Sequence, residues 1–356
     1  MVKPIVQVHV QKTAGSSLRS YLEDIVPPQD ILNLHVWSIQ NLKGHFGDLP
    51  HINTFNPEQY KFIVPLHIPI TYFGFHDTSP QFSFISMVRE PVSHFLSWYY
   101  YVKSHKEEKW IHDMTTQYGK QFYDEEKKNI KNIHETSLAE YLEDTHIYIF
   151  PQNNQAKQLS GAEIIAESIR LPGSVVLSNI PDKTPKIKND KQLFKLTKHN
   201  LKKYEFIGLT EEYNLSVLYL CYLYNLPVFD FGHKVNVLSD QVKNNQIEFQ
   251  EVPKEIITSA LEKKIRNYNS VDCKIYEEIK KIFWQKLSHP DFLKWLGDNT
   301  KGNLHELQQI KYNLSTITPK KDLTIHFSRY DDPKIFKKGW CYIEGNLQTP
   351  EQEYRW

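Results

Sequence analysis

Residues 4–25 read PIVQVHVQKTAGSSLRSYLEDI, and within this stretch the chain passes from strand to tight loop to helix. Ile5, Val6, Val8 and Val10 form a short β-prone apolar run with polar Gln7 and His9 between them, the pattern of a strand largely buried in a sheet. The spacing predicts an interior strand. Gln11 to Gly15 then collects a lysine, a threonine and small residues, after which Leu18, Tyr21, Leu22 and Ile25 recur at helical spacing, as in an amphipathic helix. A loop of small residues between a buried strand and a helix leaves backbone N–H groups unpaired, and the helix dipole adds partial positive charge at the same point. Such a place binds phosphate. Lys12, Thr13, Ser16 and Ser17 add one ammonium and three hydroxyls, which suit a phosphate or a sulfonate. The plainer reading is an ordinary helix cap by Ser16 or Ser17 with a surface lysine beside it.

The P-loop pattern GxxxxGK[ST] is absent, because Lys12-Thr13 precede Gly15, so a standard ATP or GTP site is disfavoured. VHVQKTAGSSL, residues 8–18, resembles instead the 5'-phosphosulfate loop of the Golgi-type carbohydrate sulfotransferases (heparan and dermatan 2-O- and 6-O-) and their bacterial relatives. The resemblance implies 3'-phosphoadenosine 5'-phosphosulfate, PAPS, as donor, with Lys12, Thr13, Ala14, Gly15, Ser16 and Ser17 around its 5'-phosphate.

The 356 residues suffice for one large α/β domain with an appendage, or for two domains. Hydrophobic residues at 40% and a net charge of +1 describe a folded globular chain with no dense basic stripe, which excludes nucleic acid as the main ligand and disfavours a heavily sulfated polyanion. Cys221, Cys273 and Cys341 form no CxxC pair, so neither a zinc knuckle nor a disulfide framework is expected, and no metal is implied. Met1 stands three residues before the first strand and no run of 18 apolar residues occurs, so a cytoplasmic chain without a membrane segment is expected. A Golgi-lumen setting would require an anchor ahead of Met1.

Pro27-Pro28 closes the first unit, and residues 30–59 have weak periodicity, which predicts irregular structure with short helices. YKFIVPLHI, residues 60–68, reads as a second buried strand that Pro65 confines to an end or edge position. FSFISMV, residues 82–88, is a third. It runs into Arg89-Glu90-Pro91, where Pro91 suits the first turn of a helix with Val92, Phe95, Leu96, Tyr99 and Val102 on its apolar face. Two strand–turn–helix units of one build, each with a cation at the turn, make one crevice at the edge of a parallel sheet. SMVREPVSHFLSWYYY, residues 86–101, is also similar to the 3'-phosphate motif of the same enzymes, which implies that Arg89 and Ser97, eight residues later, hold the nucleotide's 3'-phosphate. The plainer reading makes Arg89 a surface ion pair, which contributes little.

Three further segments resemble the bacterial branch: NNQAKQLSG at 153–161, YEFIGLTEEYNLSVLYLCYLYNL at 204–226 and NYNSVDCKIYEEIKKIF at 267–283. The second also reads as a strand, then Thr210 as helix cap with Glu211 and Glu212 in the first turn. The charged stretch from Glu107 to Glu143 reads as a solvated helical face. The expected organisation is a sulfotransferase domain over residues 1–287, α/β with a P-loop-like central parallel sheet flanked by helices. Residues 288–356, in which Leu323 to Trp356 carries Trp340, Trp356 and several Tyr and Phe between turn residues, are expected to form a C-terminal extension or small β-rich module.

An acceptor hydroxyl must lose a proton, and histidine suits that at neutral pH. The resemblance to the glycosaminoglycan 2-O-sulfotransferases implies a base 22 residues before the 3'-phosphate arginine, and His67 has that spacing to Arg89, although Pro65-Leu66-His67-Ile68 replaces the family's glycine-containing context. His45, in Lys43-Gly44-His45-Phe46, keeps the glycine but lies further upstream, and His76-Asp77 is a third candidate. The expected activity is transfer of a sulfuryl group to a hydroxyl of a carbohydrate or glycoconjugate, the other acceptor class being a small-molecule natural product. A nucleotide-dependent kinase and a non-catalytic glycan-binding protein are the competing classes. Acceptor identity and oligomeric state are not legible in the sequence.

Overall fold

The computed structural model describes residues 3–35, 52–66, 70–78, 80–104, 106, 136–143, 152–164, 185–228, 249–299, 327–328 and 342–343. Five strands, β1 (Ile5–Val8), β2 (Ile31–His35), β3 (Phe62–Leu66), β4 (Ser83–Val88) and β5 (Tyr204–Leu209), form one sheet in the order β2-β3-β1-β4-β5, and every pairing is parallel. Helices cover it: α1 (Gly15–Ile25), α2 (Pro91–Ser104), α3 (Leu138–Glu143), α4 (Asn154–Ser160), α5 (Asp190–Asn200), α6 (Tyr213–Tyr224), α7 (Ser259–Tyr268), α8 (Ser270–Leu287) and α9 (Pro290–Asn299). This is the expected α/β architecture, with β1 as its central strand. All four β1 residues are buried, Gln7 among them.

From β1 the chain crosses to β2 and returns through β3 on one side, then resumes on the other side at β4 and β5. The boundary between β1 and β4 is therefore the topological switch point, where open α/β sheets form a crevice at the carboxyl ends of their strands. Register fixes the two strands side by side, with Ile5 opposite Ser83 and Val8 opposite Ser86, and the Ser86 hydroxyl donates to the Val8 carbonyl at 2.9 Å.

Residues 31–35 correct the expectation of irregular structure after Asp30, since they pair along the whole of β3 as an edge strand. ILNLH carries no β-branched residue after Ile31 and spans only five positions, so its local signal was weak. Its presence makes β3 an interior strand despite Pro65. The missing N–H is tolerated because the β1–β3 pairing ends at Val6 opposite Ile63, before Pro65 is reached.

The core continues past residue 287. Phe292, Leu293 and Leu296 of α9 are buried, and Phe292 meets Tyr219 and Tyr222 of α6 at ring-centroid distances of 5.0 and 5.4 Å. Beyond α9 the described residues include one short antiparallel pair, Phe327–Ser328 with Tyr342–Ile343. A second cluster lies under α2, where Phe95, Tyr99 and Val102 pack with Leu138, Tyr141 and Ile265. Burial runs almost round α2, beyond the expected stripe, and takes in His94, Trp98 and Tyr100. Among the described residues no helix is long and apolar enough to cross a membrane.

Candidate active site

Lys12 follows β1 and Arg89 follows β4, so the two cations stand at the carboxyl ends of adjacent parallel strands. The loop holding Lys12 is strained: Lys12 and Ala14 have φ of 63° and 60°, left-handed values at residues that are not glycine. Each such residue costs roughly 1–2 kcal/mol. Left-handed residues in a tight turn are how backbone N–H groups are gathered into an anion-binding hollow.

Ala14 is the residue at the N-cap position of α1, and no side chain among the described residues caps that terminus. The plainer sequence reading, a cap by Ser16 or Ser17, is thereby corrected. Ser17 is buried and Ser16 half-buried, while the Thr13 hydroxyl turns inward and donates to the Val10 carbonyl at 2.7 Å. What the loop presents is chiefly backbone N–H groups and the ammonium. Gln7 secures the helix start from below, its Nε2 donating to the Gly15 carbonyl at 2.7 Å. A Cβ on Gly15 would stand 2.5 Å from Nδ1 of His9, so any larger residue there would have to displace the His9 ring.

The Lys12 ammonium lies 3.8 Å from the centroid of the Tyr101 ring, a cation–π contact supplied by α2. Lys12 is half-buried; desolvation, followed by repulsion from Arg89, pushes its pKa down to about 7. A second link joins the two turns. His94 on α2 is buried, and its Nε2 donates to the Gln11 carbonyl at 2.8 Å. Burial above all holds this imidazole neutral, with its pKa down at about 3, the Gln11 hydrogen bond opposing and the charges of Arg89 and Lys12 reinforcing the shift.

Arg89 is half-buried, and among the described residues its guanidinium makes no hydrogen bond or ion pair closer than 4 Å. Desolvation lowers its proton affinity while Glu211 and Glu90 raise it, and an arginine so placed stays charged. Its main chain is held firmly: the Arg89 N–H donates to Gln155 Oε1 at 2.8 Å, and Gln155 Nε2 donates to the Arg89 carbonyl at 2.8 Å. Glu90 caps α2 by accepting from the Ser93 N–H at 2.8 Å, and it pairs with Arg266 at 2.9 Å. Ser97 sits two turns into α2, half-buried.

Thr210 is not the expected cap. Its hydroxyl donates to the Val88 carbonyl at 2.9 Å, tying β5 to the end of β4. A 3-10 turn, Thr210–Glu212, precedes α6. Glu211 accepts from the Glu90 N–H at 2.8 Å and from the Tyr276 hydroxyl at 3.0 Å, which fixes the carboxylate near Arg89. His76 lies elsewhere: its ring nitrogen is 2.6 Å from the Gly161 carbonyl, and neighbouring Phe75 packs on Tyr204, the first residue of β5. That is the amino edge of the sheet, opposite Lys12 and Arg89, so His76-Asp77 is removed as a candidate base. His67 and His45 both lie outside the described residues.

Sequence reasoning missed His94, Tyr101 and Gln155. The first two lie inside the 86–101 segment and Gln155 inside 153–161, so each belonged to a segment already singled out, without a role. An α/β chain thus carries, at the switch point of its sheet, a lysine beside the start of α1 and, one strand away, an arginine whose guanidinium makes no hydrogen bond among the described residues. The profile of the sulfotransferase family matches residues 2–285, and the chain belongs to that family. It is therefore a transferase of sulfuryl groups with an acceptor substrate, and the resemblance to the Golgi-type carbohydrate enzymes fits this family. No curated protein sequence matches the chain significantly.

Proposed function

We propose that this chain moves a sulfuryl group from PAPS to a hydroxyl of a carbohydrate or glycoconjugate. The observation that carries the reading is the pair of cation-bearing turns on adjacent strands, one beside the N-terminus of α1 and the other with a guanidinium that makes no hydrogen bond among the described residues. A donor with a 5'-phosphosulfate and a 3'-phosphate presents two anionic groups to match. The N–H groups of residues 13–17 and the Lys12 ammonium would take the 5' end, and Arg89 with Ser97 the 3'-phosphate.

In the transfer, the bond between sulfur and the bridging oxygen breaks while a bond from sulfur to the acceptor oxygen forms in line. Charge builds on the bridging oxygen, which Lys12 stabilises, and the acceptor proton passes to a histidine. His67 is proposed for that base on its spacing to Arg89, ahead of His45. Incubation with sulfur-labelled PAPS and a panel of desulfated glycans is expected to give labelled glycan, with His67→Ala reducing turnover about 10²- to 10⁴-fold and His45→Ala leaving it near the wild-type rate. Label appearing only on small phenolic or alcoholic metabolites would move the acceptor to the natural-product class. Glycan binding without any label transfer would leave a binding protein on this fold.

A further inference from the structure

A buried polar network links Arg89 to two helix starts that are distant in sequence, and its centre is Gln155. Helices α4 and α8 cap one another. The Asp272 carboxylate, in the first turn of α8, accepts from the Gln155 N–H at 3.2 Å and the Ala156 N–H at 2.7 Å, both in the first turn of α4. In return Asn153, just ahead of α4, accepts at Oδ1 from the Val271 and Asp272 N–H groups at 2.9 and 3.3 Å. Asn269 Oδ1 accepts from the Asn153 N–H at 3.2 Å. Asn153, Gln155, Asn269 and Asp272 are each no more than 2% exposed. Asn153 adopts φ of 55° to serve both helices, a conformation that asparagine tolerates better than most residues.

The network holds the base of the Gln155 side chain from its own backbone, while the carboxamide engages both main-chain groups of Arg89. Arg89 is the residue at which β4 ends and the chain turns toward Pro91. Fixing its N–H and carbonyl together fixes the direction of its Cα–Cβ bond. The guanidinium beyond is held by no hydrogen bond among the described residues, so the aim of this side chain is set at its root. We infer that Gln155 is a positioning residue for Arg89, and through it determines the selectivity of the site for a nucleotide bearing a 3'-phosphate. This rests on the donor reading proposed above.

The test compares affinities for adenosine 3',5'-bisphosphate and adenosine 5'-phosphate by calorimetric titration, in wild type, Gln155→Met, Arg89→Ala and the double variant. Gln155→Met keeps length and removes both hydrogen bonds. It is expected to weaken the bisphosphate about 10- to 100-fold, the scale of a misaimed positioning group, and to change the monophosphate less than about twofold. In the Arg89→Ala background the same substitution is expected to add nothing, because no guanidinium remains to aim. Gln155→Asn, one methylene shorter, provides a milder disruption with the same selective loss should the methionine variant fold poorly. Tyr204→Phe removes the hydrogen bond from Tyr204 to the Leu159 carbonyl on the same helix; it is expected to lower thermal stability and leave the ratio of affinities alone.

Equal weakening of both ligands in the Gln155 variants, or losses that add in the double variant, would make Gln155 a structural residue only and overturn the inference. A wild-type protein that binds both nucleotides equally would instead overturn the donor reading, and the inference with it.

Discussion

Replacing Lys12 with methionine is expected to slow sulfuryl transfer by about 10²- to 10³-fold, the range seen when one preorganised donor to a developing charge is removed, with nucleotide affinity falling far less. The ammonium is half-buried, rests 3.8 Å above the Tyr101 ring and stands beside the end of β1. Methionine retains much of the stem while removing the charge, so the loop should survive the change. Thermal unfolding checks that directly. The pKa of Lys12, about 7 in the free protein, adds a second signature. Catalysis requires the charged form, so kcat/KM, which reports the free enzyme, is expected to fall above about pH 7. Lys12→Met should lack this alkaline limb. The stability effect has the opposite sense: with the folded pKa below the unfolded value, the unfolded chain binds more protons between about pH 7 and 10, so wild type gains stability relative to Lys12→Met as pH rises through that window. Equal pH profiles in the two proteins would contradict the role given to the ammonium.

Asp272→Ala is expected to cost about 2–4 kcal/mol, because it strands the buried N–H groups of Gln155 and Ala156 at about 1–3 kcal/mol each. Urea unfolding measures the loss, with Asp272→Asn as the variant that keeps an acceptor. Burial chiefly, against the two N–H groups and Lys157, raises the Asp272 carboxyl to about 7. A raised carboxyl contributes stability that is complete below the unfolded value of about 4 and lost as pH rises through about 7. The stability of wild type relative to Asp272→Asn should therefore decline between about pH 4 and 7. A flat difference across that window would mean that the carboxyl is ionised throughout.

The parts of the fold that were legible were those whose causes are local. Apolar alternation marked β1, β4 and β5, and helical spacing marked α1, because burial of a strand or one helix face selects residue types within a few positions. The edge strand β2 was missed because pairing with β3, fixed by residues some 30 positions on, holds ILNLH in place more than its own propensity does. Pro65 was read too strictly, since the pairing with β1 stops before it. At the site, Lys12 and Arg89 were visible from their turns. His94, Tyr101 and Gln155 were not, since their work depends on partners 83, 89 and 66 residues away. Serine capping at α1 was the plainer alternative to an anion-binding loop, offered from composition alone. The strained backbone at Lys12 and Ala14, which places the helix start differently, has no signature in side-chain type.

The most direct test of the account is a calorimetric titration of adenosine 3',5'-bisphosphate into wild type and Arg89→Ala, with adenosine 5'-phosphate and ATP alongside. Wild type is expected to prefer the bisphosphate to both other nucleotides, and Arg89→Ala to bind bisphosphate and monophosphate alike. Preference for ATP, or no nucleotide binding at all, would contradict it.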